Sequence, residues 1–417
     1  MLLRASLLDA PDPGRLRFHA DGALLLDGDG RIRDAGPAER LLPRHAGAEV
    51  HDLRPLWLLP GLIDLHTHVP QLEAVAAEGL TLLDWLEAHI FPTEARFADP
   101  VHAATIARAF FRGCLQEGTT TVVAYGSSHP EACEAAFQAA EAAGIRAVLG
   151  PALMDRHAPE ALLRPADRAL ADLASLGQAW HGRHGRLELA VAPRFAPSCT
   201  PALMRGAAAL AQRLGAVVET HLAETPAEVA WVADLFPEAP HYTGVYEAMG
   251  LLGPRTLLGH GIHLAPEERE VIRAAGASLV HCPRSNAFLG SGIMPLRRWR
   301  EEGLSVGLGT DVAAGPSLSL FEEMGFACQA ARLLGEPVDG PTALHLATIG
   351  GARALGWGSR LGTLDAGKEA DFILVDPALA DPLGREGGRP EAVVARLLHR
   401  PRTGMVRGAF VQGRRCP

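Results

Sequence analysis

The feature that most constrains this chain is an alternation of eight short apolar runs with longer stretches of helical periodicity. The runs are LWLLPGLI in the 57–64 region, TTTVVAY (119–125), IRAVLG (145–150), LELAVAP (187–193), AVVETHL (216–222), TLLGH (256–260), ASLVHC (277–282) and LSVGLGTD (304–311). Helical patterns lie between them over 101–116, 130–143, 201–214 and 266–275. The runs are nearly continuous in Val, Leu, Ile and Ala rather than alternating, which suits parallel strands covered on both faces. Eight βα units over roughly 250 residues match the scale of a (β/α)8 TIM barrel. The expected fold class is therefore α/β.

The two ends read differently. Residues 15–35 alternate and carry the turn Asp27-Gly28-Asp29-Gly30, a hairpin signal. Residues 361–376 and 392–413 resemble them, with short β runs around Asp365-Ala366-Gly367 and Val411-Gln412-Gly413. The expectation is a small composite β-sandwich domain from both termini, with residues 1–59 and 359–417 flanking a barrel over 60–358.

Composition removes several function classes. With 48% apolar and 21% charged residues the chain fills a core easily, and its net charge of -9 carries no clustered basic face. No nucleic-acid partner is expected, because such binding needs a basic stripe or patch. The apolar start, Met1 to Leu8, is broken at once by Asp9, Pro11 and Pro13, too short and polar for a secretory signal. No window approaches the roughly 18 consecutive apolar residues of a membrane span. Cysteines at 114, 133, 199, 282, 328 and 416 are scattered, forming neither a disulfide framework nor a CxxC site. A cytoplasmic location with no membrane partner is the expectation.

Chemistry enters at the ends of the runs. After the first comes Asp64-Leu65-His66-Thr67-His68; in extended chain, positions two apart point the same way, so both imidazoles can reach one ion. Alone, an HxH pair is more often ordinary polar structure than a metal site. However, the fifth run ends in His221, the sixth in His260, the seventh in His281 and the eighth in Asp311. Barrel enzymes build their active sites at those strand ends, and chance placement of 18 histidines explains the pattern poorly. Neutral imidazoles with one carboxylate form the ligand set for Zn2+ or Fe2+ holding an exchangeable water. His66, His68, His221, His260 and Asp311 are the candidate metal ligands. His263 competes with His260 but falls beyond the strand end. Glu224, three residues after His221, is the candidate proton shuttle, against the alternative of a first-turn helix glutamate. Asp311 would also orient the water, and His281 would bond the water or the developing tetrahedral centre unless it is simply a core histidine.

At this point the chain resembles the amidohydrolase superfamily, and within it the guanine deaminases, along most of its length. The matching stretches are PGLIDLHTHVPQ (60–71), LLDWLEAHIFPTEARF (82–97), APRFAPSCT (192–200), ETHLAET (219–225), HCPRSNAFLGSG (281–292), GLGTDVAAG (307–315) and GTLDAGKEADF (362–372). The HxH and Gly-Thr-Asp elements are shared widely; Pro70-Gln71, the Trp85–Glu94 segment and Pro193-Arg194-Phe195 are narrower signals. The resemblance implies that Gln71 and Arg194 bond the edges of a purine base and that Phe195 packs on its ring. It implies a single zinc at His66, His68, His221 and Asp311, with His260 as ligand or substrate contact. Glu224 would carry a proton to the ring nitrogen beside the attacked carbon, giving xanthine and ammonia. Binuclear members bridge two metals with a barrel lysine; here Lys368 is the sole lysine and lies in the C-terminal segment. Barrels of this superfamily are commonly dimers, so a homodimer is expected.

Departures from the family pattern are Ala314-Gly315 where Gly-Gly is common, Arg284 in place of Asn or Thr, and Leu72 after Gln71. Each could shift substrate preference. The alternatives are another heterocycle deaminase of the superfamily (8-oxoguanine, pterin, triazine or an adenosine derivative) and a non-catalytic binding protein on the same barrel. His129-Pro130-Glu131 matches half of a different zinc-deaminase signature, but the required P-C-x-x-C does not follow. Cys282 is expected to be a small packed residue, and Arg297-Arg298-Trp299-Arg300 a solvated helix face.

Overall fold

Eight strands hydrogen-bond in sequence order into one sheet: β1 (Leu62–His68), β2 (Thr119–Gly126), β3 (Arg146–Leu153), β4 (Leu187–Pro193), β5 (Val217–Leu222), β6 (Thr256–His260), β7 (Ser278–His281) and β8 (Ser305–Leu308). The computed structural model describes residues 1–385 and 388–417. Neighbours from β3 to β8 pair in parallel wherever register is defined. The sheet returns on itself where the Asp311 amide donates to the His66 carbonyl at 2.9 Å. This is the expected (β/α)8 barrel. The helical patterns appear as Pro100–Gln116, Pro130–Ala143, Pro201–Leu214 and Pro266–Ala275. Pro at the first helical position suits them, because that amide has no intrahelical partner anyway.

The chain divides into two compact units, Leu65–Phe111 with Val122–Leu318, and Met1–Asp64 with Arg112–Thr121 and Ser319–Pro417. The second carries a sheet of seven strands, in the order Arg414–Arg415, Val406–Val411, Phe372–Val375, Val50–Pro60, Leu2–Asp12, Arg15–Leu26 and Ile32–Pro37. Both termini thus contribute to one additional β-domain. The hairpin expected at Asp27–Gly30 joins Arg15–Leu26 to Ile32–Pro37 in antiparallel register. One face buries Leu3, Ala5, Leu7, Leu24, Leu58, Phe372 and Leu374 together.

Two expectations are corrected. The run LWLLPGLI is two strands, not one: Val50–Pro60 belongs to the seven-stranded sheet, and β1 begins only at Leu62. The Pro60-Gly61 dipeptide, a turn signal, marks the change of sheet inside the apolar run. Gly61 sits at the break, where an added Cβ would lie 1.9 Å from Thr120 Oγ1. Within 392–413 only Val406–Val411 is β; Pro390–His399 is a helix burying Val393, Val394, Leu397 and Leu398. That spacing is a helical stripe. The arginine cluster falls on the helix Leu296–Glu301, where Arg297 and Arg298 are exposed but Trp299 is buried.

Candidate active site

His66 and His68 lie on β1, a strand buried at every position, and face the same way as strand pleating requires. His221 is the penultimate residue of β5 and His260 the last of β6; Asp311 follows β8 by three residues. One ligand atom from each of His66, His68, His221 and Asp311 lies within 4.8 Å of the others. Asp311 Oδ1 is 3.2 Å from His68 Nε2 and 3.4 Å from His66 Nε2. His221 Nε2 and His68 Nε2 stand 3.3 Å apart.

Outer partners fix how these rings present themselves. His221 Nδ1 donates to the Arg194 carbonyl at 2.7 Å, which leaves the Nε2 lone pair aimed at the cluster. His260 Nδ1 donates to Asn286 Oδ1 at 2.9 Å, with its Nε2 3.4 Å from Glu224 Oε2 and 3.7 Å from Asp311 Oδ2. The Ser285 hydroxyl donates to Asp311 Oδ2 at 2.6 Å. Burial holds His68 down to about 4 and His221 well below its usual range, so both imidazoles are neutral. Burial alone would raise Asp311, but hydrogen bonds from His66 and His68 outweigh it and hold the carboxylate well below its ordinary value. Convergent neutral nitrogens around an ionised carboxylate fit a tetrahedral or five-coordinate divalent cation. His260 stands just outside this group of four, beside Asp311 and Cys282.

The backbone here is unusual. Ala223, His260 and Asp311 all have φ between 47° and 66°, a left-handed conformation that costs L residues of this kind about 1 kcal/mol or more. Hydrogen bonds hold it: Gly261 N to Leu222 O at 2.7 Å, Ile262 N to Ala223 O at 3.0 Å, and Gly315 N to Asp311 O at 2.6 Å. Such strain at three strand ends of one barrel is characteristic of sites where side-chain direction matters more than local comfort.

A buried pocket opens on the cluster, lined among others by His68, Gln71, Trp85, Arg194, Phe195 and Glu224. The Ser291 hydroxyl donates to Glu224 Oε1 at 2.7 Å, and burial, followed by the charge of Asp311, pushes this carboxyl up to about 8. Glu228 lines the same pocket and accepts from the Glu224 amide at 2.8 Å and the Tyr242 hydroxyl at 2.8 Å. Arg194 and Gln71 are 3% and 2% exposed, and Phe195 is 5%. Leu82, Leu86, Leu289 and Ala314 supply apolar walls. The arrangement offers a largely apolar pocket with a few convergent polar groups, suited to a small heterocycle.

All the candidates lie in this neighbourhood except one. His281 is buried, with its ring held near 3 by burial and then by His260, but it does not line the pocket. His263, the competitor of His260, donates to the Ser291 carbonyl at 2.8 Å and does not line the pocket either. Arg284 bonds Ser317 Oγ at 2.9 Å. Residues not singled out beforehand are Glu94, Glu228, Ser285, Asn286 and Ser291. All but Glu228 fall inside the stretches 82–97 and 281–292 that carried the resemblance.

Comparison with known proteins agrees with this geometry. Residues 57–416 match the model of the amidohydrolase family. The guanine deaminase of Escherichia coli (strain K12) is 37% identical over 376 residues, covering 88% of this chain and 84% of its own. A guanine deaminase from C. acetobutylicum, solved with guanine bound in its active site, has a TM-score of 0.95 at 26% identity over 100% of this chain and 99% of its own. An adenosine deaminase from Xanthomonas campestris with bound zinc has a TM-score of 0.86 at 26% identity, over 99% and 92% of the two chains.

Proposed function

This chain belongs to the amidohydrolase family, and from that premise we propose that it is a guanine deaminase, hydrolysing guanine to xanthine and ammonia. The observation that carries the reading is one buried pocket that joins the His66, His68, His221 and Asp311 cluster to Glu224 and to the Arg194, Gln71 and Phe195 wall. His66, His68, His221 and Asp311 would hold a divalent cation, which would supply the Lewis acidity to bring the pKa of a water toward neutrality. Asp311 takes the proton of the attacking water and orients it. Glu224 delivers its proton to the ring nitrogen beside the attacked carbon as the carbon–oxygen bond forms a tetrahedral centre, then takes the hydroxyl proton of that centre and passes it to the exocyclic amine. The exocyclic carbon–nitrogen bond then breaks, the attacked carbon becomes a carbonyl, ammonia leaves, and the proton held by Asp311 returns Glu224 to its protonated form. His260, oriented by Asn286, stands beside Glu224 and Asp311 as a ligand or substrate contact. His281 does not line the pocket, and no step is assigned to it.

Arg194 is a donor-only fork suited to a ring carbonyl. Phe195 offers an aromatic edge or face to the flat base. Gln71 bonds the second edge. Zinc is the proposed cation, since three imidazoles and a carboxylate are its usual donors; Fe2+ accepts the same set. We also propose a homodimer acting in cytoplasmic purine catabolism, with residues 60–358 as the catalytic domain and 1–59 with 359–417 as its β-domain. No helix among the described residues is long and apolar enough to cross a membrane, and no disulfide joins the six cysteines. Light scattering on purified protein tests the dimer: a single-chain mass overturns it. Incubation with adenine, 8-oxoguanine, pterin and a triazine beside guanine tests the substrate; release of ammonia only from another ring overturns the guanine reading.

A further inference from the structure

Glu94 is a buried carboxylate for which neither the catalytic steps nor the pocket lining accounts. It sits in the helix Phe91–Ala95 and is 2% exposed. Its two oxygens are divided between two residues of the pocket wall. Oε1 accepts from Gln71 Nε2 at 2.9 Å, and Oε2 accepts from Arg194 Nη1 at 2.6 Å. Phe91, three residues earlier on the same helix face, lies under the Arg194 guanidinium with its ring centroid 5.4 Å from Cζ. Glu94 itself does not line the pocket, so it acts on what it holds rather than on a ligand.

We propose that Glu94 is a positioning residue that sets substrate selectivity: by holding Gln71 and Arg194 together it fixes a donor–acceptor face complementary to a ring carbonyl with an adjacent N–H. This inference rests on the purine-deaminase reading of the pocket and goes on to say what that pocket selects. The amide of Gln71 has two possible orientations, and the carboxylate permits one, because turning the amide would set its oxygen against Oε1. With its nitrogen committed to Glu94, Gln71 Oε1 keeps a long contact to the Ala313 amide at 3.4 Å and a lone pair to spare. Arg194 gives one N–H to Glu94 and retains the rest of its fork for a ligand. The carboxylate also neutralises a guanidinium that is 3% exposed, so the wall reads polarity rather than net charge. Guanine offers a carbonyl beside a ring N–H; 2-aminopurine, the same base without that carbonyl and its N–H, offers neither.

The test measures kcat and KM for guanine, and the inhibition constant of 2-aminopurine against it, in the metal-loaded wild type, E94Q and E94D, with metal content and melting temperature alongside. For E94Q the expected result is a KM for guanine raised about tenfold or more, as for loss of a buried charge-assisted contact. kcat should change by less than about threefold, the pattern of lost uniform binding. The constant for 2-aminopurine should stay within about twofold, because it never used the face. E94D should show a smaller rise in KM with the same selectivity, and it carries the test if E94Q does not fold. Parallel weakening of guanine and 2-aminopurine, or a fall in kcat with KM unchanged, would overturn the proposal and leave Glu94 a structural ion-pair partner. A wild type that binds metal yet releases no ammonia from guanine would instead overturn the functional reading beneath it, before any variant is compared.

Discussion

Single residues in this pocket serve two groups at once. Arg194 presents its side chain to the pocket while its carbonyl fixes the tautomer of His221, so base recognition and cation binding share one residue. Glu224 stands between Ser291 and His260, within reach of both cluster and pocket. Replacing Glu224 by Gln keeps the volume and removes the transferable proton. We expect E224Q to bind metal in the wild-type ratio while kcat falls by about 10²–10⁴, the usual worth of a positioned acid–base group; turnover within a few-fold of wild type would contradict the proton-shuttle assignment. Asn286 is farther from the chemistry, holding His260 through Nδ1. N286A frees that ring to rotate or change tautomer, and kcat/KM or metal affinity should fall about 10- to 100-fold, as for other outer-sphere partners of metal-site histidines.

At the scale of elements, strand ends meet with very little spare room. Gly309 follows β8, and a Cβ there would lie 2.8 Å from both the Cβ and the backbone oxygen of His66. His66 O is also the acceptor for the Asp311 amide that brings the last strand back to the first. G309A should therefore displace a proposed ligand and lower metal content, with a stability loss of about 1–3 kcal/mol from overpacking. Full metal occupancy with an unchanged melting temperature would show that the junction tolerates the change. This geometry also explains what the sequence revealed. His66, His68, His221, His260 and Asp311 were legible because each marks the end of an apolar run, where a barrel gathers its chemistry. Glu94 was not, since its partner Arg194 is 100 residues away in sequence and nothing local distinguishes it from a surface helix glutamate. His281 obeys the strand-end rule yet does not line the pocket, because position along a strand does not specify which way the ring turns. The break in LWLLPGLI and the helix Pro390–His399 do carry local marks, the Pro60-Gly61 dipeptide and the helical spacing of Val393, Val394, Leu397 and Leu398, but continuous apolar content resembles a strand in both places.

For the whole molecule, the account turns on a single bound cation in a cluster of four. Lys368, the only lysine, donates to the Leu361 carbonyl at 2.9 Å within the unit that bears the seven-stranded sheet, so the cluster contains no lysine to bridge a second ion. Metal analysis of the native protein should give one divalent ion per chain; two would contradict the mononuclear site. Because that ion binds the folded state, stripping it with a chelator should lower the melting temperature, and zinc at about 1,000 times its dissociation constant should restore about 4 kcal/mol. Identical melting with and without metal would show that the cluster does not hold an ion. The most direct test of the central claim is ammonia and xanthine release from guanine by protein loaded with one equivalent of zinc. The account predicts stoichiometric formation of both products, lost on chelation and regained with zinc. No xanthine from metal-loaded, folded protein would contradict it.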